Sequence, residues 1–215
     1  MKLKFAIIFG LSGVLFMSSP SIASTQVEGK FLNSDINYES GFGTLIDISM
    51  AYLTAKRDAP EPAKPIPLKV IQKTELEQAE EALIYRLGHS TLLMKIDGRF
   101  VLADPVFSER ASPFSFVGPK RFHQPPISIE NLPQISAVIL SHDHYDHLDK
   151  AAILALAGKV DHFITPLKVG NTLIKWGIDP QKIRELDWWE ETRIGSLTLT
   201  AAPAQHFSGR GLFDR

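Results

Sequence analysis

His142-Asp143-His144-Tyr145-Asp146-His147 sets three imidazoles and two carboxylates within six residues. So many ionisable groups side by side carry a desolvation cost unless something binds them. The preceding apolar run Ala137–Ser141 predicts a strand. Asp149 is placed to cap a helix over Lys150–Ala157 that Gly158 closes. The cluster therefore falls on a strand-to-helix loop. In extended backbone, residues two apart point the same way, so His142 and His144 can face one metal while Asp146 and His147 turn toward a second. On a helix, His142 and His144 would lie on nearly opposite faces. Imidazole and carboxylate without thiolate suit zinc, with iron or manganese as further options, and such mixed sets are usual at hydrolytic centres.

A second element lies downstream. The run Ile194–Pro203 alternates in part like a strand (Leu197, Leu199, Ala201) and leads to His206, which begins the glycine-containing loop Gln205–Gly211. A third imidazole at the end of a neighbouring strand would complete a three-histidine metal site with an open position.

At this point the chain resembles a known family. His-x-His-x-Asp-His with a later strand-end histidine is similar to the metallo-β-lactamase superfamily. Leu87–Thr91, Leu102–Phe107, Gly118–Arg121, Glu185–Glu191 and Pro203–Arg210 narrow the likeness to the N-acylphosphatidylethanolamine phospholipase D branch, from about Leu83 onward. Trp188-Trp189-Glu190-Glu191 and Gln205-His206-Phe207-Ser208-Gly209-Arg210 are the more specific segments. The resemblance implies an α/β fold of the αββα sandwich type. It also implies two divalent metal ions, zinc first, with His142, His144 and His206 on one and Asp146 and His147 on the other. Hydrolysis would use a metal-activated hydroxide on a phosphodiester such as N-acylphosphatidylethanolamine or a related phospholipid, with Asp146 positioning ion and nucleophile. A β-lactam or other acyl-ester hydrolase would use the same nucleophile on a carbonyl, and fold alone does not fix substrate.

The family continues past the equivalent of Phe213–Arg215 with further strands, a bridging aspartate and a final histidine. The expectation is thus a hydrolase domain, residues 83–215, truncated to about its first half. Such a fragment would expose an apolar sheet face, and its second metal would have only Asp146 and His147. Weak or no catalysis is expected of it alone, and a non-catalytic fragment is the corresponding alternative.

The chain has 215 residues, 44% hydrophobic and 22% charged, which suits a globular protein with one sizeable core. Residues 1–23 are expected to be a signal peptide. Lys2 and Lys4 precede the apolar run Phe5–Met17, and Ser21-Ile22-Ala23 is a small-residue cleavage site, which predicts export to a bacterial periplasm. Removing Lys2 and Lys4 with this leader makes the formal net charge of −1 more negative by two units, a balance that does not favour a nucleic-acid partner. There is no cysteine, so no disulfide or lipid-modified cysteine. Residues 24–82 form a leader and connector, proline-rich over Ala59–Pro67, with helix formers at Lys73–Glu81.

The core opens with strands at Leu83–Leu87, Thr91–Ile96 and Arg99–Ala103, the last two joined by an Asp97-Gly98 hairpin turn. Thr165-Pro166 predicts a helix start with Thr165 as cap, and Gly177 its end. His89 and Asp104 each follow a predicted strand. Each reads either as an orienting group beside the metal site or as a structural histidine and a turn aspartate. The segment Phe107–Ile127 mixes Phe114, Phe116 and Phe122 with Arg110, Lys120 and Arg121. Core packing with solvated bases is the first expectation there, and contact with a phospholipid membrane surface the second. Packing is also the expectation for Trp188 and Trp189.

Overall fold

The computed structural model describes residues 23–27, 29–34, 61–114 and 116–210, with isolated positions between 43 and 58. The expected leader up to Ile22, Ala59 and Pro60 of the connector, and Gly211–Arg215 lie outside the described residues. Among the described residues no helix is long and apolar enough to cross a membrane.

A small antiparallel pair, β1 (Gln26–Val27) and β2 (Lys30–Phe31), precedes the short helix α1 (Lys73–Glu77). The central sheet has six strands in sequence order: β3 (Leu83–Gly88), β4 (Thr91–Ile96), β5 (Arg99–Ala103), β6 (Ile135–Ile139), β7 (Val160–Pro166) and β8 (Ile183–Leu186). β3, β4 and β5 pair antiparallel, whereas β5 to β8 pair parallel. The parallel crossovers carry α2 (Lys150–Leu156) between β6 and β7 and α3 (Val169–Lys175) between β7 and β8. A separate antiparallel hairpin, β9 (Glu191–Ile194) and β10 (Leu197–Thr200), completes the described elements.

Alternation along the strands divides the apolar residues between two faces. Leu102, Val138 and Phe163 are paired across β5, β6 and β7 and pack with Ile153 and Leu156 of α2 and Leu173 of α3 in the main core. Val101, Ala137 and Ile164 point the other way, into a smaller cluster that Ile194, Leu197 and Leu199 of the β9–β10 hairpin cover. The layers are thus helices, sheet and hairpin. On β3, Ile84, opposite Met94 on the same face, is 67% exposed.

The Asp97-Gly98 turn forms as expected, both residues at positive φ (51° and 71°), as a tight hairpin of this type demands. Asp149 caps α2, accepting from Ala151 and Ala152 N–H. Three expectations need correction. The helix predicted over Lys73–Glu81 stops at Glu77, because Lys95 Nζ donates to Ala79 O, Glu81 accepts from Gly98 N, and Ala82 turns the chain into β3 at φ 61°. Thr165 and Pro166 do not start α3: parallel pairing with Glu185 and Leu186 extends β7 through both, and the helix begins only after Lys168, at φ 68°. Gly177, at φ 94°, does lie just past its end. Finally, Ile194–Pro203 is not one strand. Ile194 ends β9 and Gly195, at φ 62°, makes a turn where a Cβ would collide with the Arg99 guanidinium.

Candidate metal centre

Strand direction gathers the site at one rim of the sheet. β5 and β6 run parallel, and β3 is antiparallel to β4 and hence parallel to β5. Residues following β3, β5 and β6 therefore emerge at the same edge, the usual place for a site in a parallel sheet. His89 follows β3, Asp104 follows β5, and Ser141 to His147 follow β6. His89 and Asp104 both hold positive φ (32° and 40°), a conformation that costs a non-glycine residue about 1 kcal/mol or more and that clusters at functional sites.

His142, His144 and His206 bring one ligand nitrogen each to within 4.8 Å of one another. Their rings make edge contacts at 4.6 to 5.0 Å between centroids, and His206 Nε2 lies 3.3 Å from His144 Nδ1. The loop is not extended throughout. From His144 it tightens into a turn in which the N–H groups of His147 and Leu148 both donate to His144 O. The His206 backbone N–H donates to Asn33 Oδ1, so the N-terminal segment touches this loop.

The protonation pattern follows from Ser141. Its Oγ donates to Asp104 Oδ2 at 2.7 Å and so meets His142 Nδ1, 3.0 Å away, as an acceptor. That places the His142 proton on Nδ1 and the lone pair on Nε2. Nε2 is buried and has no hydrogen-bond partner. A buried nitrogen left in that state costs about 1–3 kcal/mol, and a cation at that point would relieve it. Burial, then the neighbouring His147, His144 and His206 imidazoles, push the His142 ring down to about 4. Burial and His206 lower His144 as well. Both rings are therefore neutral near pH 7, the form that ligates metal.

A second set stands beside the first. His89, Asp146 and His147 also bring ligand atoms within 4.8 Å, with His89 Nε2 at 3.0 Å and His147 Nε2 at 3.7 Å from Asp146 Oδ2. His147 donates its Nδ1 proton to Asp104 Oδ2 at 2.9 Å, which leaves Nε2 toward Asp146. This bond raises the His147 pKa against the opposing effect of burial. Burial disfavours the Asp146 anion, but its own backbone N–H and the His147 and His89 imidazoles outweigh it, so the carboxyl lies below the ordinary aspartate value. His142 and His147 have ring centroids only 4.1 Å apart, so the two sets abut.

All five residues singled out in the sequence as ligands meet here. His89, which sequence alone left between two readings, joins Asp146 and His147. The available signal was a histidine after glycine in a tight turn between strands. Asp104 orients His147 and Ser141 without belonging to either ligand set. Its Oδ1 accepts from Ser141 N–H.

The loop between Phe107 and Ile127 departs from expectation. Phe114, Phe116 and Phe122 are 55%, 80% and 57% exposed, so core packing is not their role. The cations instead bind locally: Arg110 donates to Gly118 O, Lys120 pairs with Glu109, and Arg121 donates to Ser108 O and Val106 O. Trp189 is likewise half exposed, at φ 67°.

Histidines and aspartates gathered at one rim of a layered α/β sheet form two groups that could hold metal ions, in a fold of the metallo-β-lactamase class. The Beta-lactamase superfamily domain model matches residues 99–215, and the chain belongs to that superfamily. It is 45% identical over 161 residues to an uncharacterised protein of Mycobacterium tuberculosis, covering 74% of this chain and 43% of that one. It is 37% identical over 138 residues to N-acyl-phosphatidylethanolamine-hydrolyzing phospholipase D 1 of Caenorhabditis elegans, covering 60% and 38%. With the mitochondrial N-acyl-phosphatidylethanolamine-hydrolyzing phospholipase D of Saccharomyces cerevisiae the identity is 31% over 169 residues, covering 73% and 36%. The chain thus spans less than half the length of these relatives.

Proposed function

We propose that this chain carries both ligand sets of a two-zinc hydrolase that cleaves the phosphodiester of N-acylphosphatidylethanolamine or a related phospholipid. The observation that carries the reading is the contact between the two sets, with His142 and His147 rings 4.1 Å apart. When bound, a pair of divalent cations supplies Lewis acidity to a phosphoryl oxygen and generates a nucleophile from water near neutral pH. His142, His144 and His206 would hold one ion, and His89, Asp146 and His147 the other.

The chain's own groups prepare that chemistry. Asp104 and Ser141 hold the protons of His147 and His142 on Nδ1, leaving each Nε2 as the donor atom. Asp146 stays ionised near neutral pH, so a negative oxygen is present between His89 and His147. The exposed Phe114, Phe116 and Phe122 supply apolar rings for peripheral contact with a membrane holding the lipid. The worm and yeast relatives support the substrate by their names. Export through the leader Met1–Ala23 to the periplasm belongs to the same proposal.

The test is turnover by the zinc-loaded protein on N-acylphosphatidylethanolamine vesicles beside nitrocefin. Release of phosphatidic acid supports the reading. Nitrocefin cleavage with the lipid left intact would replace it with an acyl hydrolase.

A further inference from the structure

His206 lies 62 residues beyond His144 in a loop without regular structure, yet its imidazole meets the other two. Asp143, between the two histidines, accounts for this. Its Oδ1 accepts from Ser208 Oγ at 2.6 Å and from Gly209 N–H at 2.7 Å. Arg210 closes the junction from the other side, its Nη1 donating to Asp143 O at 2.7 Å and to Leu148 O at 2.8 Å. Tyr145 Oη donates to Arg210 O, and the Arg210 guanidinium stacks 3.9 Å above the Tyr145 ring. Five hydrogen bonds thus bind residues 208–210 to the segment 143–148, each bridging more than 60 positions of sequence, and four of them have the Asp143 carboxylate or the Arg210 guanidinium as one partner.

We propose that Asp143 and Arg210 are positioning residues that set the His206 imidazole against His142 and His144. The inference rests on the metal-ligand reading above. Neither residue offers an atom to the ligand sets. Each acts on the backbone that carries a ligand, as outer partners of metal ligands generally do. The charge on Asp143 strengthens two hydrogen bonds that start two residues after His206. Arg210 Nη1, donating to both Asp143 O and Leu148 O, spans the turn that presents His144 and His147. Loss of either contact would leave His206 on a loop of many conformations, raising the entropy cost of assembling three imidazoles.

The test is titration of the full protein with Co2+, read by visible absorption, for the parent, Asp143→Ala, Asp143→Asn, Arg210→Met and His206→Ala. The inference predicts that Asp143→Ala and Arg210→Met weaken the imidazole site by about 10- to 100-fold. Asp143→Asn retains an Oδ1 acceptor and should keep most of the affinity. In a His206→Ala background, Asp143→Ala should weaken binding no further, a non-additivity that general destabilisation would not produce. Parent-like binding in Asp143→Ala and Arg210→Met, or an undiminished loss in the double variant, would overturn the inference alone. A parent protein that takes up no Co2+ would overturn the metal reading and this inference together.

Discussion

Asp104, at the end of one strand, accepts the Nδ1 proton of His147 from the loop after its neighbour at 2.9 Å, and so determines which nitrogen of that ring is left for the site. The same carboxylate accepts from Ser141 N–H and Oγ–H. Asp104→Ala would release the His147 ring and strand the Ser141 amide. The expected result is metal binding by the His89–Asp146–His147 set weakened about 10- to 100-fold, with a loss of about 1–3 kcal/mol in stability. Calorimetric metal titration and urea unfolding would measure the two effects.

Acid should weaken the metal-free protein through His142. Its pKa falls from the ordinary 6.5 to about 4 on folding, chiefly through burial. Between those values the unfolded chain binds more protons at this residue than the folded one, so its contribution to stability falls as pH is lowered through that window. His147 acts with the opposite sign: its raised pKa gives stability that is complete below 6.5 and lost as pH rises through the folded value. His142→Gln should therefore flatten the pH dependence of unfolding between pH 6.5 and 4. An unchanged slope would contradict this origin.

Asp149 serves four backbone amides with one carboxylate, Phe107 and Ser108 through Oδ2 and Ala151 and Ala152 through Oδ1. It joins the start of α2 to the loop after β5. Asp149→Ala removes the cap and strands buried donors, and a destabilisation of about 3 kcal/mol is expected in chemical unfolding. Asp149→Asn, which keeps an acceptor, should lose less.

The proposed cleavage after Ala23 has a structural consequence. Ser24 N donates to Asp187 Oδ1 at 3.0 Å, and in a chain beginning at Ser24 this nitrogen would be a charged amine. The hydrogen bond then becomes an ion pair. Asp187→Asn should lower the melting temperature of the protein starting at Ser24 more than that of the leader-bearing protein, with the difference shrinking in high salt. Equal shifts in both forms would argue against a charged terminus at this position.

How legible the molecule was in its sequence follows from which forces are local. The His142–His147 loop, the Asp97-Gly98 hairpin and the Asp149 cap could be read because backbone geometry and nearby side chains decide them. The start of α3 could not, since Thr165 and Pro166 satisfy a capping pattern but are recruited into β7 by pairing with β8, which lies some twenty residues on. His89 stayed ambiguous for the same reason: its role depends on Asp146, 57 positions away. The aromatic loop misled because Phe114, Phe116 and Phe122 have core composition, whereas Arg110, Lys120 and Arg121 consume their charge on local carbonyls and Glu109 and leave the rings outside.

The central claim is that two abutting sets of side chains each hold a cation. Native mass spectrometry of the zinc-loaded protein and its His206→Ala variant tests it most directly. The account predicts two zinc ions in the parent and one in the variant, with the His89–Asp146–His147 ion retained. A variant that binds as much zinc as the parent would contradict it.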